Sequence, residues 1–106
     1  MSIDNVLKNN LDDLNMAKNL AGSYNNKDLK DYVDGRIDSI NKNKGLYKFL
    51  DANSAVDSYV IDLQLFIRVS DIIHDIDSKD FYKSRLIDVI KNFDYLKSRK
   101  DLTGLI

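Results

Sequence analysis

Apolar residues recur along this chain at spacings of three and four positions, the period of an α-helix with one buried face. Four stretches carry the pattern and predict helices at about 3–21, 27–43, 55–76 and 79–98. No stretch shows the apolar–polar alternation of a half-buried strand. Short polar segments separate the stretches, and short connections favour antiparallel neighbours. The sequence therefore predicts an all-α fold, a single-domain antiparallel bundle of four main helices over residues 1–106.

Residues that commonly begin or end helices mark the limits of these stretches. Ser2 is a suitable N-cap for the first helix, and Gly22 favours its end. Asp77 or Ser78 can cap the fourth helix. A break is expected within residues 46–54. The sequence shows no internal repeat and no low-complexity linker, which agrees with one domain.

The third helix is expected to turn one narrow polar sector towards solvent and the rest of its circumference towards the core. Leu63 and Ile67 lie on the side that we expect to be buried. A partner-binding surface is predicted from the polar sector, from the next acidic residue, and from two tyrosines in or near connections, because tyrosine often anchors protein interfaces. These residues are Asp57, Gln64, Arg68, Asp71, Asp75, Asp77, Tyr24 and Tyr47.

Three charged residues interrupt apolar faces of the predicted helices. Asp62 falls among apolar positions of the third helix, Arg36 lies near the centre of the second apolar stripe, and Arg85 lies at the edge of the fourth. A buried charge is costly alone and tolerable when it is paired. We therefore expect Asp62 to pair with Arg36 or, as the second choice, with Arg85. The pair would fix helix register, and the alternative is a small functional polar pocket.

Composition argues against several kinds of chemistry. The chain has no Cys, and its one histidine, His74, fits no standard zinc spacing with the neighbouring carboxylates. We therefore expect no metal and no other cofactor. No nucleophile motif and no Gly-rich phosphate loop occurs, so an enzyme is not expected.

Charge and hydropathy bear on location and on partners. Sixteen Lys and Arg against seventeen acidic residues leave a net charge of −1, without the basic excess of a non-specific nucleic-acid binder. Charged residues interrupt every long apolar run, so no membrane span is expected. The first ten residues lack the basic region and apolar core of a secretory signal. These features predict a cytoplasmic protein.

Elimination and an acidic third helix lead to the functional expectation. The leading hypothesis is a non-enzymatic protein-binding module, a small cytosolic inhibitor of the immunity or antitoxin type that neutralises a basic toxin or effector by direct binding. The alternative is a structural or assembly accessory protein of the phage or plasmid type that works as a homodimer. A nucleic-acid-binding regulator ranks third, because the second helix is too mixed in charge for a recognition helix.

Overall fold

The computed structural model describes residues 1–49 and 52–102, except for the side chain of Lys48, and this part of the chain is helical without any strand. Four α-helices follow one another, with a 3₁₀ helix after the second and another after the fourth. The α-helices are α1 (Ile3–Ser23), α2 (Lys27–Asn43), α3 (Ala52–Ile72) and α4 (Ile76–Asn92), and the 3₁₀ helices are Tyr47–Phe49 and Asp94–Ser98. The predicted all-α fold with four main helices is confirmed.

The chain divides into two compact units, Met1–Tyr59 and Val60–Ile106. The boundary lies inside α3, which therefore contributes residues to both units. No helix within the described residues has both the length and the apolar character needed to cross a membrane. The expectation of a single domain stays a prediction.

In the first unit, α1 and α2 pack against each other as antiparallel neighbours, in line with the predicted arrangement. Each helix buries the apolar stripe that its sequence pattern predicts. Val6, Leu14 and Ala17 of α1 and Val33 of α2 are completely buried.

In the second unit, α4 packs on the C-terminal half of α3. The ring centroids of Phe66 and Tyr82 lie 5.2 Å apart, within the range of a favourable aromatic pair. Leu63 is completely buried, as predicted, whereas Ile67 is only half-buried. The expectation that Ile67 belongs to the core is therefore wrong in part, because one side of it lines a surface groove.

The helices start and end at residues that the sequence identifies only in part. The Ser2 hydroxyl accepts a hydrogen bond from the Asn5 amide, so the predicted N-cap of α1 is confirmed. Gly22 does not end α1, which continues through Ser23, and Asn25 is the residue that takes a positive φ of 53°. The left-handed conformation lets amides after the helix bond back to its last carbonyls, so the chain can leave the helix without a glycine.

The connection between α3 and α4 begins earlier than predicted. α3 ends at Ile72, and His74 takes a positive φ of 61°. The N-cap of α4 is Asp75, and the prediction of Asp77 or Ser78 at this position is wrong. α4 itself ends at Asn92, because Phe93 is extended, and the rest of the stretch predicted as helix up to residue 98 is a 3₁₀ helix.

The two helix pairs repeat one architecture. α1 and α3 have 21 residues each, α2 and α4 have 17, and one shift of 49 residues superimposes the bounds of α1 on α3 and of α2 on α4. Both connectors place a left-handed residue before an N-cap whose side chain accepts a 3.0 Å hydrogen bond, Asn25 before Asn26 and His74 before Asp75. The expectation that the chain has no internal repeat is therefore wrong.

The same shift relates several identical residues. They include a buried Asp–Leu dipeptide in α1 and α3 and an arginine in α2 and α4. The identical pairs within the helices are Asp13 and Asp62, Leu14 and Leu63, Asp28 and Asp77, Lys30 and Lys79, Asp31 and Asp80, Arg36 and Arg85, Lys42 and Lys91, and Asn43 and Asn92.

Candidate functional site

Two large aliphatic side chains flank the connector between α3 and α4. Ile72 is 68% exposed and Ile76 is 70% exposed. The shift of 49 residues places Ser23 and Lys27 at the equivalent positions of the first helix pair. The connector geometry therefore does not require an apolar residue at either position. We name residues 71–77 the α3–α4 tip.

Three of the predicted partner-binding carboxylates belong to this tip, and their roles differ. Asp75 accepts the capping hydrogen bond from the Ser78 amide at 3.0 Å and is the N-cap of α4. The prediction that Asp75 lies on the outer face of α3 is therefore wrong. Asp71 accepts a 2.7 Å hydrogen bond from the Lys79 ammonium. Asp77 is exposed in the first turn of α4, where negative charge interacts favourably with the helix dipole.

A groove lies beside the tip, between the C-terminal half of α3 and the N-terminal half of α4. It is open to solvent and has a volume of about 440 Å³. Polar and charged side chains supply most of its lining, and Ile67 supplies apolar surface. The lining residues are Gln64, Ile67, Arg68, Asp71, Lys79, Lys83 and Asp101, and we name this feature the α3–α4 groove.

Both carboxylates of the groove are engaged by neighbouring donors. The hydrogen bond from Lys79 and its positive charge hold the pKa of Asp71 below its ordinary value. Asp101 accepts a bond from Arg99 Nη2 at 2.8 Å and one from Gln64 Nε2 at 3.1 Å. These bonds, the one from Arg99 first, lower the pKa of Asp101 as well. Both groups therefore stay ionised at neutral pH.

The structure brings together three of the residues predicted for the outer face of α3. Gln64, Arg68 and Asp71 line one groove, as their helical spacing predicts. Asp57 is half-buried and belongs to the first unit. The two predicted tyrosines also belong to that unit, Tyr24 as the 46% exposed C-cap of α1 and Tyr47 as a half-buried residue of the first 3₁₀ helix.

The charged residues expected in the core have different environments. Asp62 is completely buried. Arg36 is half-buried and donates from Nη2 to Asn10 Oδ1 at 3.5 Å. Arg85 lies with its guanidinium carbon 5.2 Å from the centroid of the Phe81 ring, within the range of a cation–π contact. The pairing of Asp62 with either arginine stays a prediction.

Three further polar residues are buried, and the hydrophobic pattern of the sequence does not predict their burial. Asn10, Asp13 and Ser70 are at most 1% exposed, and the Tyr59 hydroxyl donates a hydrogen bond to Asp13 Oδ2. The signal for Asp13 is its equivalence to Asp62, which becomes visible once the helix bounds define the shift of 49 residues, and both residues precede a leucine.

Comparison with known proteins and the arrangement of possible metal ligands assign no function to this chain. The described part of the chain contains no group of three or more His, Cys, Asp or Glu side chains that is arranged to hold a metal ion. No protein-family model, no curated protein and no solved structure matches this chain. The α3–α4 tip and the α3–α4 groove are therefore the features of the chain that bear on its function.

Proposed function

We propose that this chain is a non-enzymatic protein-binding module, an inhibitor of the immunity or antitoxin type, and that it binds its partner through the α3–α4 tip. The observation that carries the proposal is the exposure of Ile72 and Ile76, at 68% and 70%. Burial of an isoleucine side chain in an interface contributes about 1.5–3 kcal/mol. Two such residues on either side of one short connector provide the apolar centre that a protein interface uses.

The internal repeat strengthens this interpretation. Isolated exposed apolar residues are common on protein surfaces and need no explanation. Here, however, the first helix pair builds the same connector with Ser23 and Lys27. The connector of the second pair therefore does not need isoleucine at these positions in order to fold. Binding of a partner protein explains why apolar residues are exposed there.

The charge at the tip favours a partner with a basic rim. Asp77 is exposed beside Ile76, and Asp71 keeps 65% of its side chain exposed although it contacts Lys79. Carboxylates around an apolar centre steer a positively charged partner and fix its orientation. The complementary surface is an apolar pocket with lysine or arginine at its edge, as a basic toxin or effector would present.

The experiment that tests the proposal places a photo-crosslinking amino acid at position 76 of the chain in its native host. The matched control carries the same group at position 61, because Ile61 is also exposed, at 56%, and lies away from the tip. We expect one protein to crosslink at position 76 and not at position 61. Expressed alone, that protein should arrest growth, and co-expression of this chain should restore it.

The outcomes separate the proposal from its alternatives. Crosslinking of the chain to itself at position 76 would favour the homodimeric accessory protein and contradict the inhibitor. Crosslinking to nucleic acid would favour the regulator. Equal labelling at positions 76 and 61, or a captured protein that is harmless when expressed alone, would also contradict the proposal.

A further inference from the structure

The first helix pair offers a comparison for the α3–α4 groove. The shift of 49 residues places Lys18, Lys30 and Asp34 at the positions of three residues that line the groove. There, Asp34 receives an ion pair from Lys18 at 3.1 Å and another from Lys30 at 3.5 Å. The hydrogen bond from Lys18 is the main cause that lowers the pKa of Asp34. A carboxylate thus lies between cations supplied by both helices.

The second helix pair keeps one cation of this network and replaces the rest. Lys79 stands at the position of Lys30, but Ile67 stands in place of Lys18, and Lys83 in place of Asp34. The cation Lys83 therefore stands where the first pair has its central carboxylate, and Lys79 pairs instead with Asp71 at 2.7 Å. The open groove of about 440 Å³ lies beside this ion pair.

Two cations of the groove have no partner among the described residues. Arg68 and Lys83 are exposed, and neither forms a hydrogen bond or an ion pair within residues 1–49 and 52–102. A guanidinium group offers a planar fork that matches a carboxylate in bidentate geometry. Ile67 adds apolar surface to the same groove.

From these observations we propose that the α3–α4 groove binds a small monocarboxylate. Arg68 and Lys83 hold its carboxylate, and Ile67 contacts its apolar body. The volume of the groove lies within the range of small-molecule sites, roughly 300–1,000 Å³. This binding is independent of the protein-binding function proposed for the tip.

The charges of the lining attract an anionic ligand. Lys79 pairs with Asp71 and Arg99 pairs with Asp101, which leaves the cations Arg68 and Lys83 to hold an anion. A carboxylate can accept hydrogen bonds from both cations, and Ile67 favours an anion that carries an apolar body. The ligand class is therefore an aliphatic or aromatic monocarboxylate.

Hexanoate is a suitable probe, because it combines one carboxylate with an apolar chain. The full chain, labelled with ¹⁵N and methyl ¹³C, is titrated with hexanoate, with neutral hexanamide and with inorganic phosphate, and NMR shifts are followed at Arg68 and Ile67. We expect saturation by hexanoate with a dissociation constant on the order of 1 mM. Hexanamide should bind at least about tenfold more weakly, because it lacks the charge that strengthens the hydrogen bonds.

Substitutions connect the binding to the groove. Arg68→Gln and Lys83→Gln should each weaken hexanoate binding about tenfold or more, because charge-assisted bonds are roughly twice as strong as neutral ones. Lys91→Gln removes an exposed charge from the same helix and should change nothing. The double variant Ile67→Lys/Lys83→Asp installs the residues of the first pair, so it should abolish binding and leave the helical spectrum intact.

Three results would overturn the proposal. One is a shift that rises linearly with hexanoate through the millimolar range without saturating. Another is equal weakening by Lys91→Gln and by Arg68→Gln, which would indicate general charge screening. The third is phosphate binding as tight as hexanoate binding, which would show that the groove responds to charge alone.

Discussion

At the scale of single residues, the buried polar groups distinguish this protein from a simple apolar bundle. Asp13 and Asp62 are completely buried and occupy equivalent positions of the two helix pairs. A buried carboxylate is tolerated only when donors satisfy it. Tyr59 is one such donor for Asp13, and this hydrogen bond spans 46 residues of sequence.

Removal of the Tyr59 hydroxyl should destabilise the fold. Tyr59→Phe keeps the ring in place but takes one donor from a buried carboxylate, which costs about 1–3 kcal/mol. Tyr47→Phe is the control, because Tyr47 is half-buried, and should stay within about 0.5 kcal/mol. Urea unfolding followed by circular dichroism measures both. Equal free energies of unfolding for Tyr59→Phe and the unmodified chain would contradict the role of this bond.

Removal of the Ser70 hydroxyl should stabilise the fold, in contrast to removal of the Tyr59 hydroxyl. It is completely buried and has no hydrogen-bond partner within residues 1–49 and 52–102, whereas the equivalent residue of the first pair is Ala21. Ser70→Ala removes an unsatisfied polar group and should stabilise the chain by about 1 kcal/mol. Ser58→Ala, at a half-buried position of the same helix, should give a smaller change. A loss of stability on Ser70→Ala, measured by urea unfolding, would show that the hydroxyl has a partner.

Removal of the ammonium group from the Asp71–Lys79 pair should change the titration of Asp71. The ammonium of Lys79 lowers the pKa of Asp71, so Lys79→Met should raise that pKa towards its ordinary value. Because the pKa is lowered in the folded chain, any stability that the pair adds is present above the ordinary pKa and is lost as pH falls through the lowered value. Carboxyl ¹³C NMR measures the titration. Asp94, paired with Lys97, is the internal control and should not change.

At the scale of the elements, the sequence predicts which stretches form helices more accurately than where they end. Apolar periodicity identifies all four helices, because each buries one face. The ends depend instead on caps and on left-handed residues, which many residue types can supply. Gly22 is the residue that the sequence favours as a stop, yet Asn25 and His74 adopt the left-handed conformation.

The N-caps of α2 and α4 should have similar energies. Asn26 and Asp75 accept equivalent 3.0 Å bonds, so Asn26→Ala and Asp75→Ala should each cost about 0.5–2 kcal/mol. Ser78→Ala tests the cap that the sequence alone suggests and should stay within about 0.5 kcal/mol. Thermal unfolding of the three variants measures the difference. A larger loss for Ser78→Ala than for Asp75→Ala would contradict the observed cap.

At the scale of the whole molecule, the internal repeat is the feature that is hardest to detect in the amino-acid sequence. The equivalent helices have the same lengths and the same connector geometry, but a buried position accepts many apolar residues. Ala17 and Phe66, for example, are both completely buried and occupy equivalent positions. Few identical residues therefore survive, and the repeat becomes visible only when the element bounds are known. Periodicity predicts that Gln64, Arg68 and Asp71 of α3 lie together, but it does not predict the exposed isoleucines of the tip, because they continue an apolar pattern that indicates a longer helix.

The repeat also suggests a variant that tests whether the α3–α4 tip binds a protein. Ile72→Ser/Ile76→Lys installs the residues of the first connector, so the chain should fold normally. Isothermal titration of the partner should then show an affinity at least about tenfold lower, which is 1.4 kcal/mol. Ile61→Ser should bind like the unmodified chain. Unchanged affinity of the double variant would contradict the account and place the interface elsewhere.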